Sequence, residues 1–301
     1  MVYKSVLDLI GNTPMVKMNK IIDDDDATVL AKLEGYNLGG SIKGGMAFYM
    51  IKEAEKSLKL TKSKTLIEAS SGNTGIAMAI IAGVKGYKIT VVIPESVSFE
   101  RRKLIKAYGA KLVLSPGEEG TDGATRIKNE LLKKNPDKYV NLNQFKNPAN
   151  VLAHYEITGK EIIKQTDGNV DMVVLGIGTA GTGVGVSKCL KEYNPSIKII
   201  GVMSKIGACI QGLRNSKELK NANFFKDSAF DEIIEISKEE IPKTFSIARK
   251  LAEKEGILAG MSSGATMYIA LQKAKELKKG KTIIVILPDN GERYLSTELF
   301  G

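Results

Sequence analysis

Short β-branched runs alternate along the chain with longer segments whose apolar residues recur at helical spacing. The runs at 28–33 (TVLAKL), 64–69 (KTLIEA), 88–93 (KITVVI), 111–115 (KLVLS), 139–142 (YVNL), 171–178 (DMVVLGIG), 198–202 (KIIGV), 231–236 (DEIIEI) and 282–287 (TIIVIL) have the length and composition of strands. Between them ERRKLIKAYGA, TDGATRIKNELLKK, PKTFSIARKLAEKEG and TMYIALQKAKELKK are amphipathic and predict helices. Such alternation implies parallel sheets covered by helices on both faces, an α/β fold. Ligands of open α/β sheets bind beyond the carboxyl ends of the strands, so the strand-to-helix turns are where chemistry is sought.

Four turns qualify. In EGYNLGGSIKGGMAFYMIKEAE, Lys43 stands between two glycine pairs at a predicted helix start, with Ser41 as the expected N-cap. Met46, Ala47, Met50, Ile51 and Ala54 form the buried stripe. The positive end of the helix dipole disfavours an ammonium in that first turn, which suits a nucleophilic lysine that condenses with an aldehyde. A surface lysine after a glycine loop explains this turn equally well when it is taken alone. The second turn gathers Ser70, Ser71, Gly72, Asn73 and Thr74 before an apolar helix, a carboxylate-sized anion site. A plain cap accounts for one such side chain, not for a cluster of hydroxyl and amide groups.

In the third turn Gly176, Gly178 and Gly181 match G-x-G-x-x-G. A dinucleotide site also demands an acidic residue at the end of the next strand, where Met203 and Ser204 stand instead, so a nicotinamide cofactor is not expected. Thr179 and Thr182 among the glycines suit a single terminal phosphate. The fourth turn places Ser262 and Ser263 between glycines, either as a cap or as a neutral hydroxyl facing a ring nitrogen.

Composition narrows the classes. The length of 301 residues suggests about two domains, and 43% apolar content is ample for a core. No run of about 18 apolar residues exists, and Asp8 interrupts the start before a signal sequence could form, so a soluble, unexported chain is expected. Cys189 and Cys209 match no metal spacing and fit a reducing cytoplasm. The sole histidine, His154, excludes a multi-histidine metal site, and no metal is expected; a packed or capping role is. The ten methionines are expected to fill core space. A formal charge of +10 raises nucleic-acid binding as a non-enzymatic alternative, but the lysines of SLKLTKSK, LLKKNPDK and KAKELKKGK are dispersed as solvated helix ends, and Trp is absent.

Taken in order, a lysine at a helix start, S-G-N-T-G, a G-T-x-G-T phosphate loop and S-S-G-A resemble the pyridoxal-phosphate enzymes of the cysteine synthase and cystathionine β-synthase family. LIGNTPMV, PESVSFERRKLIKAYGAKLVL, NQFKNPAN and LPDNGERYLSTELF look like further landmarks, so the likeness covers nearly the whole chain. The resemblance implies fold type II, two open twisted mostly parallel sheets, with a smaller unit at 38–145 and a larger one from 1–37 and 146–301. It implies pyridoxal 5'-phosphate as cofactor and Lys43 as the lysine that bonds it and moves the substrate Cα proton. Asn73 would contact the ring hydroxyl, Gly178, Thr179, Ala180, Gly181 and Thr182 the phosphate, and Ser262 the pyridine nitrogen. Ser70, Ser71, Thr74 and Gln144 would hold the substrate carboxylate. The implied reaction is β-replacement on a small amino acid with sulfide or a thiol, in a homodimer without membrane or nucleic-acid partners. O-Acetylserine with sulfide, or cysteine losing hydrogen sulfide, are the two donor readings.

Departures are few. Gly44 and Gly45 replace the charged pair that commonly follows the lysine, which is expected to enlarge or loosen the site. Ser70 replaces a threonine, and Ala180 a glycine that is dispensable if the backbone there avoids positive φ. After CIQG the chain reads LRNSKELKNANFFKDSAFDE where relatives have a small, glycine-rich lid; Asp227 and Asp231 are its candidate acid or base, with solvated carboxylates as the simpler reading. No extension or regulatory module is expected beyond the catalytic core.

Overall fold

The computed structural model describes residues 2–70, 72–220 and 222–301. In chain order its elements are β1 (Met15–Lys17), β2 (Thr28–Leu33), α1 (Lys43–Lys56), β3 (Thr65–Ala69), α2 (Asn73–Val84), β4 (Lys88–Pro94), α3 (Phe99–Ala107), β5 (Lys111–Ser115) and α4 (Gly120–Lys134). There follow β6 (Tyr139–Val140), α5 (Pro148–Ala153), a π-helical turn (His154–Gly159), α6 (Lys160–Thr166), β7 (Met172–Gly176), α7 (Gly181–Tyr193) and β8 (Lys198–Ser204). The chain ends through α8 (Ser216–Leu219), β9 (Glu232–Ile236), α9 (Ile241–Glu255), α10 (Met261–Leu277) and β10 (Thr282–Leu287).

Two sheets form, in the orders β1-β2-β10-β7-β8-β9 and β5-β4-β3-β6. All pairings are parallel except β1 with β2, the short antiparallel edge that periodicity did not reveal. β6 is shorter than YVNL suggests, because the side-chain amide of Asn141 donates to the Ile67 carbonyl (2.8 Å) in place of a backbone ladder.

Side-chain alternation explains why the strands are apolar throughout. Ile283, Val285 and Leu287 of β10 face a core shared with Phe245, Ala248 and Leu251 of α9 and with α10, whereas Ile284 and Ile286 face Ile162, Val186 and Leu190 of α6 and α7. The smaller sheet repeats the arrangement, with Leu66 and Val91 against α1 and α2, and Ile67 and Val92 against Ala124 of α4. Cationic last turns, such as Lys133 and Lys134 of α4 and Lys254 of α9, lie where the helix dipole favours them.

No helix among the described residues is long and apolar enough to cross a membrane. Bonds between loops tie the carboxyl ends of β2 and β10 together: Ser41 bridges to Asp289 after β10, and the Ile42 N–H donates to the Pro288 carbonyl (2.8 Å).

Candidate active site

Lys43 is the first residue of α1, and Ile42 rather than Ser41 is its N-cap. Ser41 is held one residue back by its bridge to Asp289, yet its Oγ still accepts from the Lys43 N–H (3.4 Å). The expected stripe of Met46, Ala47, Met50, Ile51 and Ala54 is buried. Half-buried, the Lys43 side chain faces the cleft between the sheets. Burial brings its pKa down to about 8, with Arg214 pushing the same way and Asp289 opposing. Desolvation is therefore the larger cause of the shift.

The flanking glycines serve geometry. Gly39 and Gly40 have φ of +82° and +70°, the left-handed turn that launches the helix. Gly44 and Gly45 do not loosen the site: a Cβ on Gly44 would lie 2.7 Å from the Leu38 carbonyl oxygen, and one on Gly45 3.0 Å from Ile157 Cδ1. Without side chains there, the backbone of α1 packs closer than a charged pair would allow.

The second turn closes around α2. Ser70 Oγ accepts from the N–H groups of Gly72 (3.0 Å) and Gly75 (3.2 Å), so it organises the loop from within. Thr74 Oγ1 donates to Gln144 Oε1 (2.7 Å), and both line the cleft. Ser71 lies outside the described residues. Asn73 faces the cleft with its amide fixed on two sides: Nδ2 donates to Asp289 Oδ2 (2.7 Å) and Oδ1 accepts from Arg293 Nη1 (2.6 Å).

Asp289 and Arg293, which fix the Asn73 amide, are positions that sequence reasoning passed over, noting their stretch only as a landmark. Asp289 also accepts from the Tyr294 hydroxyl (2.6 Å), and the Arg101 guanidinium stacks on the Tyr294 ring (4.5 Å) and bonds Gln211. All three charges are buried. Their signal was an acid and a base placed immediately after the apolar run of β10, at the end of a strand where sites form.

The third turn begins α7. Gly178, Thr179 and Thr182 line a cavity shared with Lys43, Asn73, Gly212 and Ser262. Thr179 Oγ1 accepts from the buried Asn150 Nδ2 (3.0 Å) and from the Gly181 N–H (3.4 Å). Gly181 must be glycine, since a Cβ would stand 2.1 Å from Asn150 Oδ1. Ala180, as the N-cap of α7, takes φ +67°, so the expectation that its backbone avoids positive φ is corrected. An alanine held there costs roughly 1–2 kcal/mol. Ala180→Gly is expected to raise the stability by roughly 0.5–1 kcal/mol after the added freedom of the unfolded chain is subtracted, read from the denaturant midpoint.

Behind the loop, His154 Nε2 lies 3.2 Å from Thr182 Oγ1, and its Nδ1 lies 3.1 Å from Thr158 Oγ1. Burial, helped by the Lys43 charge, drives its pKa to about 3, so it is a neutral, packed histidine as expected. Cys189 is buried on α7, whereas Cys209 is exposed at the cleft.

The fourth turn places Ser262 in the first turn of α10, capped by Gly260. Gly212, at φ +100°, passes so close that a Cβ would sit 2.9 Å from Ser262 Oγ. Asp227 and Asp231 stay outside. Asp231 pairs with Lys191 (2.7 Å) and Lys198 (3.2 Å), and Asp227 is exposed on a short turn, so the solvated reading holds for both.

These groups fit pyridoxal phosphate. An amine, a helix N-terminus with two hydroxyls and glycines that a Cβ would overfill, a fixed amide and a neutral serine share one cavity. A family model described as "Pyridoxal-phosphate dependent enzyme" matches residues 6–289. The chain belongs to the pyridoxal-phosphate-dependent enzymes. Within that family it is 42% identical to a cysteine synthase of Staphylococcus aureus, the alignment covering 99% of this chain and 97% of that one. Solved relatives include a cysteine synthase of Entamoeba histolytica (TM-score 0.92, 38% identity, 100% and 91% covered). A hydrogen sulfide-producing enzyme of Fusobacterium nucleatum is equally similar (TM-score 0.91, 41% identity, 98% and 100% covered). As in other pyridoxal-phosphate-dependent enzymes of this fold, two mostly parallel sheets flank the site. The chemistry is of the β-replacement type.

Proposed function

We propose that this chain makes L-cysteine from O-acetyl-L-serine and sulfide, releasing acetate. The observation that carries the reading is the single cavity that joins the Lys43 amine to Asn73, Gly178, Thr179, Thr182 and Ser262. The likeness to cysteine synthases supports it. Pyridoxal phosphate, when bound, supplies a sink for negative charge at the substrate Cα. Lys43 holds the cofactor's aldehyde and moves the Cα proton, for which an amine brought to about 8 is suited. Asn73 reads the ring hydroxyl, and residues 178–182 hold the phosphate. Ser262 gives the ring nitrogen a neutral partner. Thr74, Gln144 and Ser71 receive the substrate carboxylate, with Ser70 shaping the loop before α2.

A second donor, L-cysteine losing hydrogen sulfide, is favoured by the Fusobacterium likeness and by the altered segment after Gly212. The test mixes the yellow protein with O-acetylserine plus sulfide, and separately with cysteine alone, while following absorbance and sulfide. Cysteine formed from the first mixture supports the reading; sulfide released only from the second replaces it with the alternative.

The cofactor-free protein gives a pH test. Below about pH 8 the Lys43 amine is charged and unreactive, so cofactor uptake is expected to rise about tenfold per pH unit and to level off near 8. A rise continuing toward 10.5 would show an unshifted amine.

The reading extends to a cytoplasmic homodimer without nucleic-acid partners, checked by sedimentation and by DNA binding at low and high salt. It also divides the chain into units 38–145 and 1–37 with 146–301, to be checked by hydrogen exchange with and without substrate.

A further inference from the structure

Where the phosphate loop passes α5, one buried amide serves two neighbours. Asn150, fully buried on α5, donates from Nδ2 to the Gln144 carbonyl (2.8 Å) and to Thr179 Oγ1 (3.0 Å). A carbonyl oxygen can only accept, so the bond to Gln144 fixes which end of the amide is nitrogen. Both of its N–H groups are then used. The Oδ1 lies against Gly181 and, among the described residues, has no hydrogen-bond partner. Burying that oxygen unpaired carries a cost that an apolar side chain would avoid, so whatever the amide contributes comes from Nδ2.

At Thr179 this arrangement has a chemical consequence. A hydroxyl has one proton to give and two lone pairs to offer. Thr179 Oγ1 accepts from Asn150 Nδ2 and from the Gly181 N–H (3.4 Å), which occupies both lone pairs and leaves only the O–H for the cavity that Lys43, Gly178 and Thr182 also line. Such a hydroxyl serves a fully ionised phosphate oxygen and offers nothing to the proton of a half-ionised one. The same amide holds the carbonyl of Gln144, whose side chain accepts from Thr74 (2.7 Å) in the cleft. Resting on the cofactor reading above but not on the choice of amino-acid donor, we infer that Asn150 is a positioning residue: it makes Thr179 a donor only, which selects the dianion of the cofactor phosphate, and it ties that donor to the loop carrying Gln144. The titratable and charged groups that face the site from other elements are Lys43 of α1, His154 of the π-helical turn, Arg214 after β8 and Asp289 after β10. Neither His154, neutral above about 3, nor Lys43, brought to about 8, titrates near pH 6.

The test records the phosphorus NMR resonance of the cofactor-loaded enzyme near pH 6, where a free phosphate monoester is about half protonated. The unmodified enzyme is expected to show the resonance at the dianion position. A resonance midway between the two forms would overturn the inference, however the variants behave or fold. Asn150→Asp keeps the shape but puts an acceptor where the donor was, so Thr179 turns its O–H away from the phosphate. Cofactor affinity is expected to fall at least about tenfold, the order of one charge-assisted hydrogen bond, and the resonance to move. Asn150→Ala frees the hydroxyl without redirecting it and is expected to cost about threefold. A merely structural role gives the opposite order, since alanine leaves the larger hole, and that order would overturn the inference. In a Thr179→Val background the Asn150→Asp penalty is expected to shrink to about threefold or less, whereas an undiminished penalty would show charge repulsion alone and also overturn it. Both Asn150 variants are expected to raise the KM of the amino-acid substrate severalfold, and an unchanged KM would overturn the tie to Gln144. Failure of the unmodified protein to take up the cofactor would overturn the cofactor reading as well.

Discussion

Replacing Lys43 with alanine is expected to lower turnover by at least about 10³-fold while leaving the fold intact. The side chain has no hydrogen-bond partner for its amine among the described residues, and burial already disfavours its charged form. Its removal therefore relieves a desolvation cost, and the thermal midpoint is expected to stay within about 2 °C or to rise. Lys43→Arg separates chemistry from charge. A guanidinium keeps the cation but cannot bond an aldehyde, so this variant is expected to be as inactive as alanine. Recovery of activity with arginine would point to a merely electrostatic role.

The largest effect on stability is expected at Gly185, in the middle of α7. A Cβ there would stand 2.4 Å from the Val151 carbonyl oxygen, 2.8 Å from His154 Cβ and 2.9 Å from the Tyr155 N atom. Two of those three neighbours are backbone, which no rotamer change can move. Gly159 meets Cys189 from the other side of the same seam, where an added Cβ would lie 2.6 Å from that residue's Cβ. Close approach of α7 to the π-helical turn thus depends on both glycines. Gly185→Ala is expected to cost about 3 kcal/mol by overpacking, a fall of roughly 6–12 °C in the midpoint. Because His154 then shifts against Thr182, cofactor affinity is expected to fall as well. Gly83 provides the contrast. It is helical, its nearest obstacle is the Tyr108 carbonyl oxygen at 3.7 Å, and Gly83→Ala is expected to stabilise by roughly 0.5–1 kcal/mol.

How legible each part was follows from the range over which it is determined. The strands of both sheets were visible because burial on two faces makes a run apolar whatever its partner, as in TIIVIL of β10. β1 was not, since three residues at an antiparallel edge carry no period to detect. The glycine and hydroxyl turns were legible because a helix N-terminus states its capping and anion-binding chemistry locally. What escaped was set by contacts distant in sequence. Asn73 is oriented by Asp289 and Arg293, residues 216 and 220 positions away, and although their place after β10 marks them as near a site, which side chain they hold is set only by the fold. The glycines after Lys43 were expected to loosen the site, but their neighbours Leu38 and Ile157 fill the space. Ala180 likewise fits local expectation until the turn forces its φ positive.

All of this rests on one amine at the head of α1, whose charged form burial disfavours. The direct measurement is to load the protein with pyridoxal phosphate, reduce it with borohydride, and map the pyridoxyl group by peptide mass spectrometry. A single modified peptide carrying the group on Lys43 is the expected result. An unmodified chain, or a group on another of its lysines, would contradict the assignment.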